Sequence, residues 1–237
     1  MRILAIDTAA ATGSVALIDG EELIGEYLLN IRATHSERLL PALIRILQDG
    51  GWTGSDIEGV AAATGPGSFT GLRIGVATAK ALAYTWQKPL IGVTVLEGLA
   101  FQVGFAAQWV CTMVDARHGE VYGRLYKMSG LPEPAGDYWA GPVEEFLKQV
   151  LDAAAGPICF CGDGAAVYWD RVLEAAGDRA VRPASNSMQL RASSIALLGR
   201  QKLLAGESHD PLTLAPMYLR LSEAERRLKA RCSEGCR

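Results

Sequence analysis

The stretch GPGSFTGLRIG, residues 65–75, lies between a short apolar run at residues 60–63 and a long alanine-rich run that ends near Trp86. Four glycines and a proline within eleven residues are tolerated where the backbone turns tightly or approaches another group closely. The flanking patterns predict a buried strand before this stretch and a helix over residues 68–86 after it. A strand, a glycine turn and a helix in this order indicate an α/β fold.

Strand and helix patterns alternate along the rest of the chain. Three strands over residues 2–7, 14–18 and 22–29 precede a helix over residues 36–50, and the alternation resumes beyond the glycine stretch. We predict a loop over residues 128–142, because this segment is rich in proline and glycine. The order of these patterns predicts two α/β lobes, each built on a mixed sheet.

Composition limits the classes of function. The chain has 237 residues and a formal net charge of −3 at pH 7, so we expect any nucleic acid to be held mainly by a partner. The five cysteines lack the spacing of a structural zinc site, and we expect reduced thiols in a cytoplasmic protein. We expect no secretory leader, because the sequence starts directly with a strand pattern. We also expect no membrane span, because the most apolar window, residues 96–114, is interrupted by polar residues.

Three predicted strand ends carry residues that could contact a nucleotide. Backbone N–H groups at the start of a helix favour an anion, and a carboxylate at a strand end can hold a metal. The candidates are Asp7, Thr8, Gly65, Gly67, Ser68, Gly162 and Gly164. The glycine stretch lacks the Lys-Ser/Thr ending of a P-loop. The alternative is that Asp7 and Thr8 organise a turn and Ser68 caps a helix.

Small side chains recur every four residues along the helix that follows the glycine stretch. Such a stripe allows another backbone to approach closely, either this chain's own sheet or a helix of a second chain. The preceding helix is apolar over more of its perimeter than one core contact requires. The candidate partner or dimer surface comprises Leu39, Ala42, Leu43, Ile46, Gly71, Gly75, Ala79 and Ala83. On this hypothesis, Ala79→Leu or Leu43→Arg disrupts pairing while the fold survives.

A metal site at His35 is disfavoured. A second ligand one helical turn later would stand at position 39, which is Leu39. A single histidine is a poor site for zinc or iron, so we predict no metal.

Five segments in this order resemble the TsaB (YeaZ) family, the accessory proteins of bacterial tRNA threonylcarbamoyladenosine biosynthesis. They are residues 3–8, 35–41, 65–75, 115–122 and 216–220, and together they span most of the chain. The resemblance implies a two-lobed actin-like ATPase (ribonuclease H-like) fold, in which the last helix returns to the first lobe. The implied lobes are residues 1–105 with about 191–222, and residues 106–190. A charged tail, residues 223–237, would follow.

The resemblance also implies a function without catalytic residues. Such proteins act as scaffold partners of their paralogue TsaD, together with the ATPase TsaE, in threonylcarbamoyl transfer to the adenosine beside the anticodon of tRNAs that read ANN codons. His35 corresponds to the first metal-binding histidine of TsaD, and Leu39 stands where the second would be. The implied assembly is a heterodimer with TsaD, and the same surface can support a homodimer. No cofactor is required, ATP is compatible with the partner complex, and tRNA is contacted mainly through the partner.

Two alternatives from other classes remain open. An active small-molecule kinase of the actin-like superfamily needs two phosphate loops, a magnesium carboxylate and a catalytic base, of which only Asp7 and one glycine loop are evident. A glycoprotease-like hydrolase needs a metal or a nucleophile, and Leu39 argues against the metal.

Overall fold

The computed structural model describes residues 1–29 and 35–220 of the chain. Its N-terminal part builds a five-stranded sheet in the order β3-β2-β1-β4-β5. The strands are β1 (Arg2–Asp7), β2 (Gly13–Asp19), β3 (Glu22–Leu29), β4 (Gly59–Ala63) and β5 (Leu90–Val93). The first three strands form an antiparallel meander, whereas β4 and β5 continue the sheet from β1 in parallel. The predicted mixed sheet is confirmed.

Two helices pack on one face of this sheet. They are α1 (His35–Asp49) and α2 (Phe69–Trp86), and α3 (Val95–Val103) follows β5. Leu4 and Ile6 of β1 join side chains of α1 and α2 in one apolar cluster, whereas Ile3 and Ala5 belong to a cluster on the opposite face. This division follows from the alternation of side chains along a strand. The N-cap of α2 is Ser68, whose Oγ accepts a hydrogen bond from the Gly71 N–H at 3.2 Å.

The second sheet repeats the plan of the first. Its strands run β11-β10-β6-β7-β8, and β9 also pairs with β7. The elements are β6 (Trp109–Arg117), β7 (Glu120–Met128), β8 (Pro132–Pro134), β9 (Trp139–Pro142), α4 (Val143–Ala153), β10 (Ile158–Cys161), α5 (Asp163–Val167), α6 (Trp169–Ala176) and β11 (Ala180–Val181). An antiparallel hairpin, β6 and β7, is again extended by parallel strands, β10 and β11.

The loop prediction for residues 128–142 was wrong in part. The short strands β8 and β9 occupy two segments of this region and pair antiparallel with opposite ends of β7. Both strands contain proline, which is tolerated at sheet edges because an edge strand leaves some backbone groups unpaired.

The last described helix, α7 (Ala192–Leu204), packs against the first sheet and covers the face opposite α1 and α2. Gly199 permits this approach, since a Cβ there would lie 2.8 Å from the Ala61 Cβ. The cluster beneath α7 also contains Val110 and Cys159 of the second sheet, so the two sheets share an apolar core. The lobe boundaries stay a prediction, and residues 221–237, with the expected charged tail, lie outside the described residues.

After α7 the chain runs along the edge of the first sheet. We call residues 209–220 the strap. The His209 N–H donates to the Leu90 carbonyl at 2.7 Å, and the Met217 N–H donates to the Thr64 carbonyl at 2.7 Å. Lys80 of α2 donates to the carbonyls of Leu212 and Leu214 at 3.1 and 2.8 Å. The strap is therefore bound to β5, to the start of the glycine stretch and to α2.

Candidate functional site

A cleft of about 120 Å³ lies where the carboxyl ends of β1 and β10 face each other. Its polar lining residues are Asp7, Thr12, Asp163 and Gln189. The remaining walls are apolar and come from the turn after β1, from Pro66, from α3, from β6 and from the segment that leads to α7. Sequence reasoning identified Asp7 here but not Asp163, although Asp163 lies between the two glycines of the second predicted turn.

Asp7 is held at the base of this cleft, with its side chain almost completely buried. Its Oδ1 accepts a hydrogen bond from the Ala9 N–H at 2.9 Å. The pKa of Asp7 is raised to about 7, chiefly because the carboxyl is buried; the Ala9 hydrogen bond opposes the shift, and the nearby carboxylates of Asp163 and Glu26 add to it. A carboxyl with this pKa is only partly ionised at neutral pH.

Asp163 connects the cleft to the second sheet. Its Oδ1 accepts from the Asp115 N–H at 3.0 Å, and burial raises the pKa of Asp163. Asp115 in turn accepts from the Tyr168 hydroxyl at 3.0 Å and from the Arg117 N–H at 2.8 Å. These carboxylates organise the turns between strands and helices, as expected where side chains bond to nearby backbone groups.

The glycine turns are filled by this chain itself. A Cβ at Gly162 would lie 2.1 Å from the Met113 carbonyl oxygen, and a Cβ at Gly67 would lie 2.3 Å from the Ala9 carbonyl oxygen. The Ser68 N–H donates to that same Ala9 carbonyl at 2.6 Å, and the Thr8 hydroxyl donates to the Gly71 carbonyl at 2.7 Å. These contacts favour the structural explanation of the glycine stretch, in which it closes α2 against the turn after β1.

The cleft of the isolated chain does not fit a nucleotide with its metal. Its volume of about 120 Å³ is below the several hundred Å³ that small-molecule sites occupy. Among the residues that the structure describes, its lining contains two aspartates and neither lysine nor arginine, so these residues offer no cationic side chain to a phosphate. Asp7 and Asp163 line this cleft, whereas Thr8, Gly65, Gly67, Ser68, Gly162 and Gly164 do not.

Burial corrects the predicted partner surface. The small residues Gly71, Gly75, Ala79 and Ala83 are buried against this chain's own sheet, and a Cβ at Gly75 would lie 2.1 Å from the Thr8 Oγ1. The small-residue stripe therefore serves the internal approach of α2 to the sheet.

The predicted residues of α1 are also turned inward. Leu39, Leu43 and Ile46 are 6%, 4% and 2% exposed and belong to the core, and Ala42 packs against them half-buried. Ala79→Leu and Leu43→Arg would therefore damage the core, so neither isolates an effect on pairing.

Other side chains form the outer face of α1 and α2. Leu40 and Ile44 of α1 and Tyr84 of α2 are 52%, 55% and 67% exposed, and Ala77 and Ala81 of α2 are also exposed. We call these five residues the helix-pair face. The sequence carried a signal for it, since Leu40 and Ile44 lie one helical turn apart.

The potential metal ligands in the described part of the chain are not clustered. No group of three or more His, Cys, Asp or Glu side chains there could hold an ion. Leu39 is buried in the core, and the side chain of His35 lies outside what the structure describes. Within the same residues, no helix combines the length and hydropathy that a bilayer crossing requires.

Comparison with known proteins agrees with this architecture. A crystal structure of a Pseudomonas aeruginosa protein described as similar to peptidase YeaZ superposes with a TM-score of 0.79 at 30% identity, covering 92% of this chain and 99% of that one. A structure of YeaZ from the same organism gives 0.76 at 28% identity, with the same coverage. The ROK hexokinase of Thermus thermophilus shares only the fold, with a TM-score of 0.54 at 11% identity over 86% of this chain and all of that one. The chain therefore has the actin-like ATPase fold, as predicted.

Sequence comparison identifies the family within this fold. The family model described as "TsaD: tRNA N6-adenosine threonylcarbamoyltransferase" matches residues 29–228. A Bacillus subtilis protein named tRNA threonylcarbamoyladenosine biosynthesis protein TsaB is 34% identical over 95% of this chain and 96% of its own length. The Escherichia coli protein of that name is 42% identical over 54% of this chain and 55% of its own length. The chain belongs to the TsaB/YeaZ family of TsaD-related proteins.

Proposed function

We propose that this protein takes part in tRNA threonylcarbamoyladenosine biosynthesis as a non-catalytic scaffold partner of TsaD. The names of its relatives support the pathway. The match to the TsaD family model supports the view that TsaD is a paralogue of this chain.

The helix-pair face is the observation that carries the proposal. Leu40, Ile44 and Tyr84 expose half or more of their surface on two helices that pack side by side on the first sheet. Exposed apolar groups that lie together on packed helices are typical of a surface that a second protein covers, because burying them is favourable. A pair of helices from TsaD would complete a four-helix contact there.

The cleft supports a non-catalytic role. Thr8 and the glycine stretch are engaged in internal hydrogen bonds, and the cleft offers apolar walls and a partly protonated Asp7. Phosphoryl transfer depends on positioned cations and donors around the phosphates. The isolated chain is therefore expected to turn over ATP weakly or not at all.

Several finer features belong to the same proposal. TsaE joins the complex, the modified adenosine lies beside the anticodon of tRNAs that read ANN codons, and the helix-pair face also supports a homodimer. The scaffold role requires no cofactor on this chain, and ATP binds in the complex with the partner. The complex acts in the cytoplasm.

The test is light scattering on a sizing column with this protein alone and mixed with TsaD from the same organism. We expect the wild-type chain to form a heterodimer, and Ile44→Arg to weaken it at least tenfold, because an arginine would be desolvated within an apolar contact. Leu173→Arg is the matched control, since Leu173 is 45% exposed on α6 of the second sheet. Unchanged pairing by Ile44→Arg would place the interface elsewhere, and absence of pairing by the wild-type chain would refute the scaffold role.

A further inference from the structure

An aromatic pair and an arginine meet where the strap passes the start of α2. The rings of Phe69 and Tyr218 stack with centroids 4.0 Å apart and planes 5° from parallel. The Arg73 Nε donates to the Tyr218 hydroxyl at 3.0 Å, and its guanidinium carbon lies 5.1 Å from the centre of the Phe69 ring. Tyr218 is nevertheless 40% exposed, so part of this stack faces solvent. The arrangement fixes a cation and an aromatic surface side by side.

The strap then crosses to the second sheet. Arg220, two residues beyond Tyr218, forms an ion pair with Glu120 at the start of β7. Glu120 pairs in the sheet with Arg117 at the end of β6. A series of connections therefore leads from the first sheet to the second: Arg73 bonds to Tyr218, the strap continues to Arg220, and Arg220 pairs with Glu120, the sheet neighbour of Arg117.

The hairpin between β6 and β7 presents its charged residues to solvent. Arg117 and His118 are exposed and adopt φ values of +63° and +56°, in the left-handed region that side chains other than glycine seldom occupy. The Arg117 N–H donates to the Asp115 carboxylate, which holds the turn in this shape. Non-glycine residues kept in this conformation concentrate where their side chains have a role at a surface or site.

We propose that this rim, formed by Phe69, Arg73, Arg117, His118 and Tyr218, binds RNA directly, whereas Arg220, paired with Glu120, holds the strap against the second sheet. Guanidinium groups pair with phosphate oxygens, and an exposed aromatic stack accepts an unpaired base. An acidic protein surface would use the arginines but has no need of the stacked rings, and for that reason we assign RNA. The inference rests on the proposed function and goes beyond it, because this chain then contributes its own RNA contacts in addition to those of its partner.

The position of the rim suits a shared RNA surface. Arg73 lies on α2, one helical turn before Ala77 of the helix-pair face. The rim therefore begins beside the surface proposed for TsaD and leads away from it toward the second sheet. RNA held there would extend across both proteins.

The test measures tRNA binding by fluorescence anisotropy over a series of KCl concentrations. The samples are this chain alone and this chain mixed with TsaD. The probe is an unmodified, labelled transcript of a tRNA that reads an ANN codon. Arg117→Asn removes the charge but keeps a residue that tolerates the left-handed conformation. We expect affinity to fall about threefold to tenfold, and the slope of log K against log salt to flatten by about 0.7 to 1, the effect of losing one phosphate contact.

A second variant examines the stack without changing charge. Tyr218→Leu should weaken tRNA binding about fivefold or more. The slope of log K against log salt should not change, because base stacking is largely independent of salt. Lys127→Asn is the control, since Lys127 is exposed at the opposite end of β7. Its binding should match the wild-type value. Thermal midpoints and sizing profiles of all variants confirm that the fold and the pairing are retained.

The outcomes separate the rim from the scaffold role. If the wild-type chain pairs with TsaD but Arg117→Asn and Tyr218→Leu bind RNA as the wild type does, the RNA-binding role of the rim is refuted and the scaffold role stands. A second outcome is that tRNA binding weakens in Arg117→Asn but not in Tyr218→Leu, and that polyglutamate competes with the tRNA as well as unlabelled RNA does. That result would overturn RNA as the ligand in favour of an acidic partner. If the chain does not pair with TsaD but its RNA binding depends on both Arg117 and Tyr218, the RNA-binding role of the rim is supported and the scaffold role is refuted.

Discussion

Asp7 is a carboxyl whose ionisation the fold opposes. Its folded pKa of about 7 exceeds that of an aspartate in an unfolded chain, so the native state binds the proton more tightly. The contribution of Asp7 to stability therefore decreases as pH rises from about 4 to about 7, and the loss is complete above that range. This is the reverse of the usual salt-bridged aspartate.

Asp7→Asn should remove this dependence, because asparagine keeps the oxygen that accepts from the Ala9 N–H and carries no charge. We expect the variant to be more stable than the wild type by up to about 4 kcal/mol near pH 8, with a smaller gain toward pH 4. Urea unfolding at intervals between about pH 4 and pH 8 measures the difference. Asp137→Asn, at an exposed carboxyl, is the control. If the free energy of unfolding varied with pH in the same way for Asp7→Asn and wild type, the raised pKa of Asp7 would be contradicted.

At the scale of elements, the strap depends on one side chain for much of its attachment to α2. Lys80 donates to two strap carbonyls, those of Leu212 and Leu214. Hydrogen bonds from a charged donor contribute about 1.5 to 3 kcal/mol when their loss leaves the partner unsatisfied.

Lys80→Met keeps the length of the stem but removes both bonds. We expect the His209 and Met217 amides, which bond to the first sheet, to exchange at least tenfold faster with deuterium, because the strap opens locally. Lys88→Met is the matched control, since Lys88 donates to the Ser55 carbonyl away from the strap. Equal protection in Lys80→Met and wild type would show that the backbone bonds and the contacts of Tyr218 with Phe69 and Arg73 hold the strap without Lys80.

Sequence patterns predicted the long elements and missed those held by distant pairing. The helix expected over residues 68–86 is α2, and its Ser68 cap was recognisable from residue type. The strands β8 and β11 have only three and two residues, too few to display an alternation. Their existence depends on β7 and β10, which lie elsewhere in the sequence.

The prediction that Leu39 and Leu43 of α1 belong to a partner surface failed for a specific reason. Two apolar stripes run along this helix, one through Leu39 and Leu43 and the other through Leu40 and Ile44. Both have helical spacing, so periodicity cannot tell which stripe faces the sheet. Only the packed structure distinguishes them, by burying the first and exposing the second. Asp163 was missed for a similar reason, because its approach to the Asp7 cleft depends on how the two sheets pack.

For the whole molecule, the shared core predicts a single unfolding transition. Side chains from both sheets belong to one apolar cluster, so neither sheet can lose its structure without exposing part of the other. We expect the calorimetric and van't Hoff enthalpies to agree. Fluorescence should also report one midpoint from variants that retain tryptophan only in the first sheet region, at Trp52 and Trp86, or only in the second, at Trp139 and Trp169. Two separate midpoints would show independent units.

The return of α7 to the first sheet has a consequence for synthesis on the ribosome. The sheet begins with β1 at residue 2, but one of its faces is covered by a helix that ends only at Leu204. A nascent chain therefore carries an uncovered apolar sheet face while the whole second sheet is being translated. This interval is when the polypeptide is most exposed to misassociation, and when a chaperone that holds apolar surface would have the greatest effect on yield.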